Sequence, residues 1–219
     1  VLSIWKILVP CYLKGYSPVW VGIALTAFLT VVILYFVYGI EKRTLVASMG
    51  SLLGVLTTCV LGIVFTDLFK IHGAVMANSE SLLYSGYENL DLTAIFMSSI
   101  FIGASGAMMD LAVDITAAVS EVVEKKPEIG WLEAAKSGMN VGRAAMGTMT
   151  TTLLLAYSGG CVALLMVFMA QGTPVNHILN YKYVAAEVLD TIAGSFGLVT
   201  VAPFTALVAG LILTKKSEN

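Results

Sequence analysis

Charge is what this chain has least of. Only 12% of its 219 residues are Asp, Glu, Lys or Arg, while 58% are hydrophobic; a soluble domain usually carries about 25% charged residues. The net charge of −2 gives no sign of the strongly basic balance that nucleic-acid binding favours. Cysteine and histidine are scarce too. Cys11, Cys59 and Cys161 lie far apart, with no CxxC pair and no neighbouring histidine. That spacing argues against a disulfide framework and against a zinc site, so no metal and no cofactor is expected. Each cysteine reads as a small apolar packing residue. Also missing are the basic n-region and small-residue cleavage site of a signal peptide. The apolar opening, Val1 to Leu13, holds Lys6 and Pro10 and is too short to span. It reads as the outer end of a helix whose start is missing, as in a fragment of a longer protein.

What remains is hydrophobic length. A spanning helix needs roughly 20 apolar residues, set by a hydrocarbon layer about 30 Å thick and a rise of 1.5 Å per residue. Pro18–Ile40 and Leu45–Thr66 meet that test, separated by the polar turn Glu41-Lys42-Arg43-Thr44. Leu92–Val123 follows, with Asp110 and Asp114 in its second half. Val141–Ala170 carries Arg143 near its start and Gly159-Gly160 inside it. Val184–Leu213 bears Glu187 and Asp190 early and Pro203 late. The expectation is an all-α, polytopic transmembrane helix bundle. It has about five full spans plus a truncated N-terminal helix, in a single membrane domain over residues 1–219, with Leu92–Leu213 as a three-helix heart. Between the third and fourth spans, Ile129 to Lys136 reads as a short surface helix with Trp131 and Leu132 dipping into the membrane.

Basic residues set an orientation. One set of loops and ends holds Lys42, Arg43, Lys125, Lys126, Lys136, Arg143, Lys215 and Lys216; the other holds Lys6, Lys14, Lys70 and Lys182. The positive-inside rule puts the richer set, and the C-terminus, in the cytoplasm. Tyr84, Tyr87, Tyr181 and Tyr183 then fall where outer-interface aromatics belong.

Several strings resemble one family. They are Ile102-Gly103-Ala104-Ser105-Gly106-Ala107-Met108-Met109-Asp110-Leu111-Ala112-Val113-Asp114; Lys136-Ser137-Gly138-Met139-Asn140-Val141-Gly142-Arg143; Met146-Gly147-Thr148-Met149-Thr150-Thr151-Thr152-Leu153; Leu155-Ala156-Tyr157-Ser158-Gly159-Gly160; and Val201-Ala202-Pro203-Phe204-Thr205-Ala206-Leu207. The chain thereby resembles the YibE/F-like membrane proteins from about Leu13 to its end. The resemblance implies a multi-pass protein of the bacterial cytoplasmic membrane, with unassigned activity. More distantly, the order of features is similar to the last three helices of the SecD/SecF proteins and their resistance–nodulation–division relatives. That likeness implies intramembrane carboxylates coupling proton flow to transport. Here the acids read Asp110-x-x-x-Asp114, in place of an adjacent Asn-Asp or Asp-Asp pair.

Asp110 and Asp114, at i and i+4, share one helix face. Counted from Leu92, they lie about 27 and 33 Å down the helix, one inside the hydrocarbon and one at its edge. A centrally placed Asp costs at least about 2.5 kcal/mol and is expected to face helices or water. Three readings stay open: a proton or cation relay, an ion pair with Arg143, and interfacial solvation. Asn140 and Arg143 sit where a guanidinium needs a partner. Thr148 and Thr151, within the run Thr148 to Thr152, either line a polar path beside Asp110 or bond back to their own helix. Gly50 and Gly54, Gly103 and Gly106, and Gly194 and Gly197 supply small faces for close helix packing. Pro203 frees the Val199 carbonyl and is a hinge or a kink. Glu187 and Asp190 form either a second acidic station or a solvated rim. Gly103-Ala104-Ser105-Gly106 spells the GxSG of an intramembrane serine protease, but His72 and His177 lie in the outer loops, out of reach of Ser105. The pattern therefore points to a non-enzymatic, transporter-like permease coupled to proton or ion movement. The alternative is a non-transporting scaffold that anchors a partner or an extracytoplasmic domain. The expected partners are the lipid bilayer and a second copy or another membrane subunit.

Overall fold

The computed structural model describes residues 2–76, 79–178 and 180–215. Lys216, counted above among the basic residues, lies outside them. The chain is all-α, with no strand among the described residues. Helix α1 (Ile4–Leu13) is short. Then come α2 (Pro18–Tyr38), α3 (Lys42–Leu68), the short α4 (Ser79–Tyr84), α5 (Leu92–Lys125), α6 (Trp131–Gly160), α7 (Val162–Ala170), the single turn α8 (Val175–Ile178) and α9 (Lys182–Leu213). Four helices, α2, α3, α5 and α9, are long and apolar enough to cross a membrane, and α6 with α7, bent at a break, passes the same test only when the two are taken together as one span. Local chemistry sets the ends. Pro18 opens α2 in the first turn, where its missing N–H costs nothing. Gly39 closes it at φ 73°, a conformation glycine adopts without strain. Asp91 caps α5 by accepting from the Ala94 N–H at 2.9 Å.

Two expectations need correction. The surface helix near Trp131 and the fourth span are one continuous helix, because nothing between Trp131 and Gly160 is a strong breaker until Gly159-Gly160. There the span breaks: α6 and α7 meet at an angle of 46°. The heart of the bundle is not Leu92–Leu213 alone, because α3 packs as intimately on α5 and α9 as these do on each other. The reason is steric. Gly54 of α3 lies against Val201 and Gly197 of α9, and Gly197 lies against Thr58 and Met108. Gly50 abuts Thr205. Without side chains at these points the backbones meet, which matters in lipid, where helix association depends on packing more than on the hydrophobic effect. The fully buried Phe101, Met108, Leu111 and Ile115 form the inward row of α5. Farther along, Gly138 and Gly142 seat α6 against Val119 and Ile115 of α5 and Ala206 and Ala202 of α9.

Helix α2 gauges depth. Its 21 residues span about 31 Å, the thickness of a hydrocarbon layer. At one end, the Tyr12 hydroxyl lies 3.1 Å from the Pro18 carbonyl and 2.9 Å from Ser98 Oγ of α5. At the other, Tyr38 donates to the Val113 carbonyl at 2.9 Å. Ser98, level with Pro18, thus sits close to one face of the layer, and Val113, about 22 Å farther along α5, lies inside the other. Helix α9 runs unbroken through Pro203.

The glycine crossings carry a prediction. Gly197→Ala is expected to lower stability in detergent by about 1–3 kcal/mol through overpacking against Thr58 and Met108. Gly106→Ala meets no atom within 4 Å and is expected not to lower it. Thermal unfolding of both purified variants checks the contrast.

Candidate functional site

Asp110 and Asp114 are exposed along one flank of α5. Asp114 follows Val113 inside the face of the layer marked by the end of α2, and Asp110 lies one turn deeper. Beside Asp110 an open groove of about 240 Å³ is walled by Thr148, Thr152 and Ala156 of α6. The threonine hydroxyls nearby are already engaged: Thr148 donates to the Ala145 carbonyl, Thr151 to Gly147 and Thr152 to Thr148, at 2.8–2.9 Å. Ser105 likewise bonds back to the Ile102 carbonyl. Along this flank Gly106 meets nothing within 4 Å, so the close packing expected of Gly106 is not made among the described residues.

The ion pair between Arg143 and Asp110 or Asp114, one of the readings left open above, does not form. No salt bridge joins them among the described residues. Helical geometry explains why. Successive residues of α6 turn by about 100°. Taking Gly138, packed on α5 and α9, as the origin, Thr148 and Thr152 stand about 80° and 40° round toward the aspartates. Arg143 stands about 140° round the other way, and Asn140 and Thr151 lie on the back of the helix. The guanidinium and the carboxylates are thus separated by the body of α6. Sequence alone gives both residues the right depth but not the rotation of α6 on α5.

A different cluster is assembled near the opposite face of the layer. Asp190 of α9 is half-buried, and one of its carboxylate oxygens is fully buried. The Tyr157 hydroxyl of α6 is buried as well. The two groups face each other without reaching hydrogen-bond geometry, and neither has another partner among the described residues. Tyr157 is held in place by glycines: its hydroxyl lies between Gly103 of α5 and Gly194 of α9, 3.5 and 3.4 Å from where a Cβ would stand. Glu187, one turn from Asp190, lines with it a cavity of about 470 Å³ closed by Ser99, Gly160, Cys161 and Tyr183. Ser99 is next to Ser98, so the cavity lies just inside the layer. It opens at the break between α6 and α7, where Cys161 interrupts the helix. Broken backbone at membrane depth is tolerated where it lines a cavity or is buried in protein.

These helices, their glycine seams and the break have a family to belong to. The model of the family described as YibE/F-like protein matches residues 1–215. The chain belongs to the YibE/F-like family. No curated protein and no solved structure matches it. In this YibE/F-like chain the residues that sequence reasoning passed over are Tyr157 and Cys161, and Asp190 was left between a station and a rim. The available signal was spacing: Asp190 stands four residues before Gly194, so it shares the face on which the Tyr157 hydroxyl is seated.

Two substitutions separate the arrangements. Tyr157→Phe removes an orphaned buried hydroxyl and is expected to leave stability unchanged or raise it by about 1 kcal/mol. Arg143→Gln is expected to change stability negligibly, whereas breaking a buried ion pair would cost about 3 kcal/mol or more. Unfolding midpoints of the two variants against the parent chain test both.

Proposed function

We propose that this YibE/F-like protein is a membrane permease whose transport is coupled to the movement of protons or other cations through the cavity lined by Glu187 and Asp190. The observation that carries the reading is a carboxylate oxygen and a phenol hydroxyl, both buried and both unpaired, at the break of a spanning helix. A polar group left unsatisfied in a low-dielectric layer is costly, and intramembrane acids are retained where ions or protons pass. Broken helices beside such acids are the usual construction of secondary transporters. Glu187 extends the acidic pair toward the nearer surface. Asp110, in its groove near the other face, offers a second acid about 15 Å away, counting ten residues of α5 from the level of Ile100, so the two grooves approach each other along α6. No enzymatic step enters this reading. The chain sits in the bacterial cytoplasmic membrane with its C-terminus and the Lys125–Trp131 turn inside, as the distribution of lysine and arginine favours.

The second reading is a scaffold that transports nothing, favoured by the open, partner-free flank of α5 at Gly106, Asp110 and Asp114. Proteoliposomes with an entrapped pH-sensitive dye and an imposed potential separate the two. The permease reading predicts proton or cation-linked flux above that of empty vesicles, abolished by Asp190→Asn while the protein still assembles. Flux no higher than in empty vesicles, or flux indifferent to Asp190→Asn, sinks it.

The orientation has its own check. In a chain freed of its three cysteines, Glu128→Cys is expected to resist a membrane-impermeant maleimide in intact cells, while Thr173→Cys is labelled. The reverse pattern would invert the topology.

A further inference from the structure

The geometry points to a binding site for an anionic phospholipid on the back of α6, formed by Lys136, Asn140 and Arg143. These residues are spaced i, i+4 and i+7, so they fall within about 60° of each other round the helix. All three are exposed, and none makes an ion pair among the described residues. Three other basic residues at this end of the bundle are engaged. Arg43 holds Glu41 and Glu124, Lys125 holds Glu121, and Lys126 holds Glu133. Lys42 of α3 and Lys215 after α9 also make no ion pair among the described residues, but Lys136 and Arg143 share one exposed stripe of a single helix.

Depth suits a headgroup. Gly142 packs against Ile115, two residues past the Val113 level, so Arg143 lies within about one turn of the hydrocarbon edge. Lys136 stands about 10 Å farther along the axis, beyond it. Side chains on a helix lean toward its N-terminus. The N-terminus of α6 is the end nearer Lys136, so the Arg143 guanidinium is carried toward the lysine and out of the acyl layer, in the manner of a snorkelling side chain. A lipid phosphate between the two meets the fork of an arginine, the charge of a lysine and the amide of Asn140, while its acyl chains lie along the apolar flank below. A second copy fits less well. The acids of α5 level with Arg143 are Asp110 and Asp114, and those nearer the level of Lys136, Glu121 and Glu124, already hold Lys125 and Arg43. This inference is independent of transport.

The test is native mass spectrometry of the purified chain titrated with phosphatidylglycerol or with phosphatidylcholine. The structure predicts a phosphatidylglycerol adduct in preference to phosphatidylcholine. With each basic residue near the surface worth about 1 kcal/mol, Lys136→Ala with Arg143→Ala is expected to weaken that adduct about thirtyfold. Lys42→Ala, at the same end but off this stripe, leaves it unchanged, and inorganic phosphate alone gives no adduct. Equal retention of both lipids, or unaltered phosphatidylglycerol binding by the double variant, overturns the site. So does binding of inorganic phosphate alone. A dimer lost on Arg143→Ala and on Asp114→Asn alike, without lipid preference, would assign the stripe to a second copy instead.

Discussion

Everything in this bundle depends on three helices being allowed to touch. Where Gly197 of α9 meets Thr58 of α3 and Met108 of α5, no Cβ intervenes, and the backbones close on one another. In a bilayer, lipid tails solvate a leucine as well as another helix does, so attraction between helices rests on dispersion and on close approach. The glycines at positions 50, 54, 194 and 197 provide that approach. They also fix the rotation of α9, and rotation decides which of its polar residues point inward.

That rotation has a chemical consequence. With Gly194 turned toward α5 and α6, Asp190 one turn away is drawn to the same seam, and the Tyr157 hydroxyl fills the space a larger residue would have taken. The arrangement is under-satisfied: two polar groups face each other without a bond. Structural networks tend to be complete, because a half-satisfied one is worse for stability than an apolar filling. An incomplete pair beside an open cavity and a broken helix is the part of the molecule whose polarity stability alone does not explain. The acid pair at Asp110 and Asp114 differs in kind. It lies on an open flank, and Arg143, its natural counter-ion by depth, is turned away by nearly half a revolution of α6.

Much of the architecture was legible in the sequence, since a run of apolar residues is read by length alone. The spans beginning at Pro18 and Leu92 and ending at Leu213 fall where hydropathy puts them. What length does not carry is angle. The Asp110–Arg143 pairing was a statement about rotation, and rotation is set by Gly138 and Gly142 seating on Ile115 and Val119, contacts between helices distant in sequence. The continuity of α6 was hidden for another reason. Its first two turns, Trp131 to Ser137, are too polar to count toward a span yet are good helix formers that Gly210 of α9 receives at close range. The break at Gly159-Gly160 was visible as a glycine pair, but its 46° bend was not. Asp190 lay in plain view, and the feature that singles it out, the burial of one carboxylate oxygen against Tyr157, exists only in three dimensions.

The central claim is that the cavity lined by Glu187 and Asp190 is a water-reachable space within the membrane and not a sealed packing defect. Reaction of a small, charged, membrane-impermeant thiosulfonate with Glu187→Cys, in a chain lacking Cys11, Cys59 and Cys161, tests it most directly. The account predicts rapid modification from the side bearing the Gln171–Tyr181 turn, and protection when the same reagent is confined to the opposite side. A thiol at position 187 that stays unmodified from both sides would contradict it, because an acid pair shut away from water cannot exchange ions with either compartment.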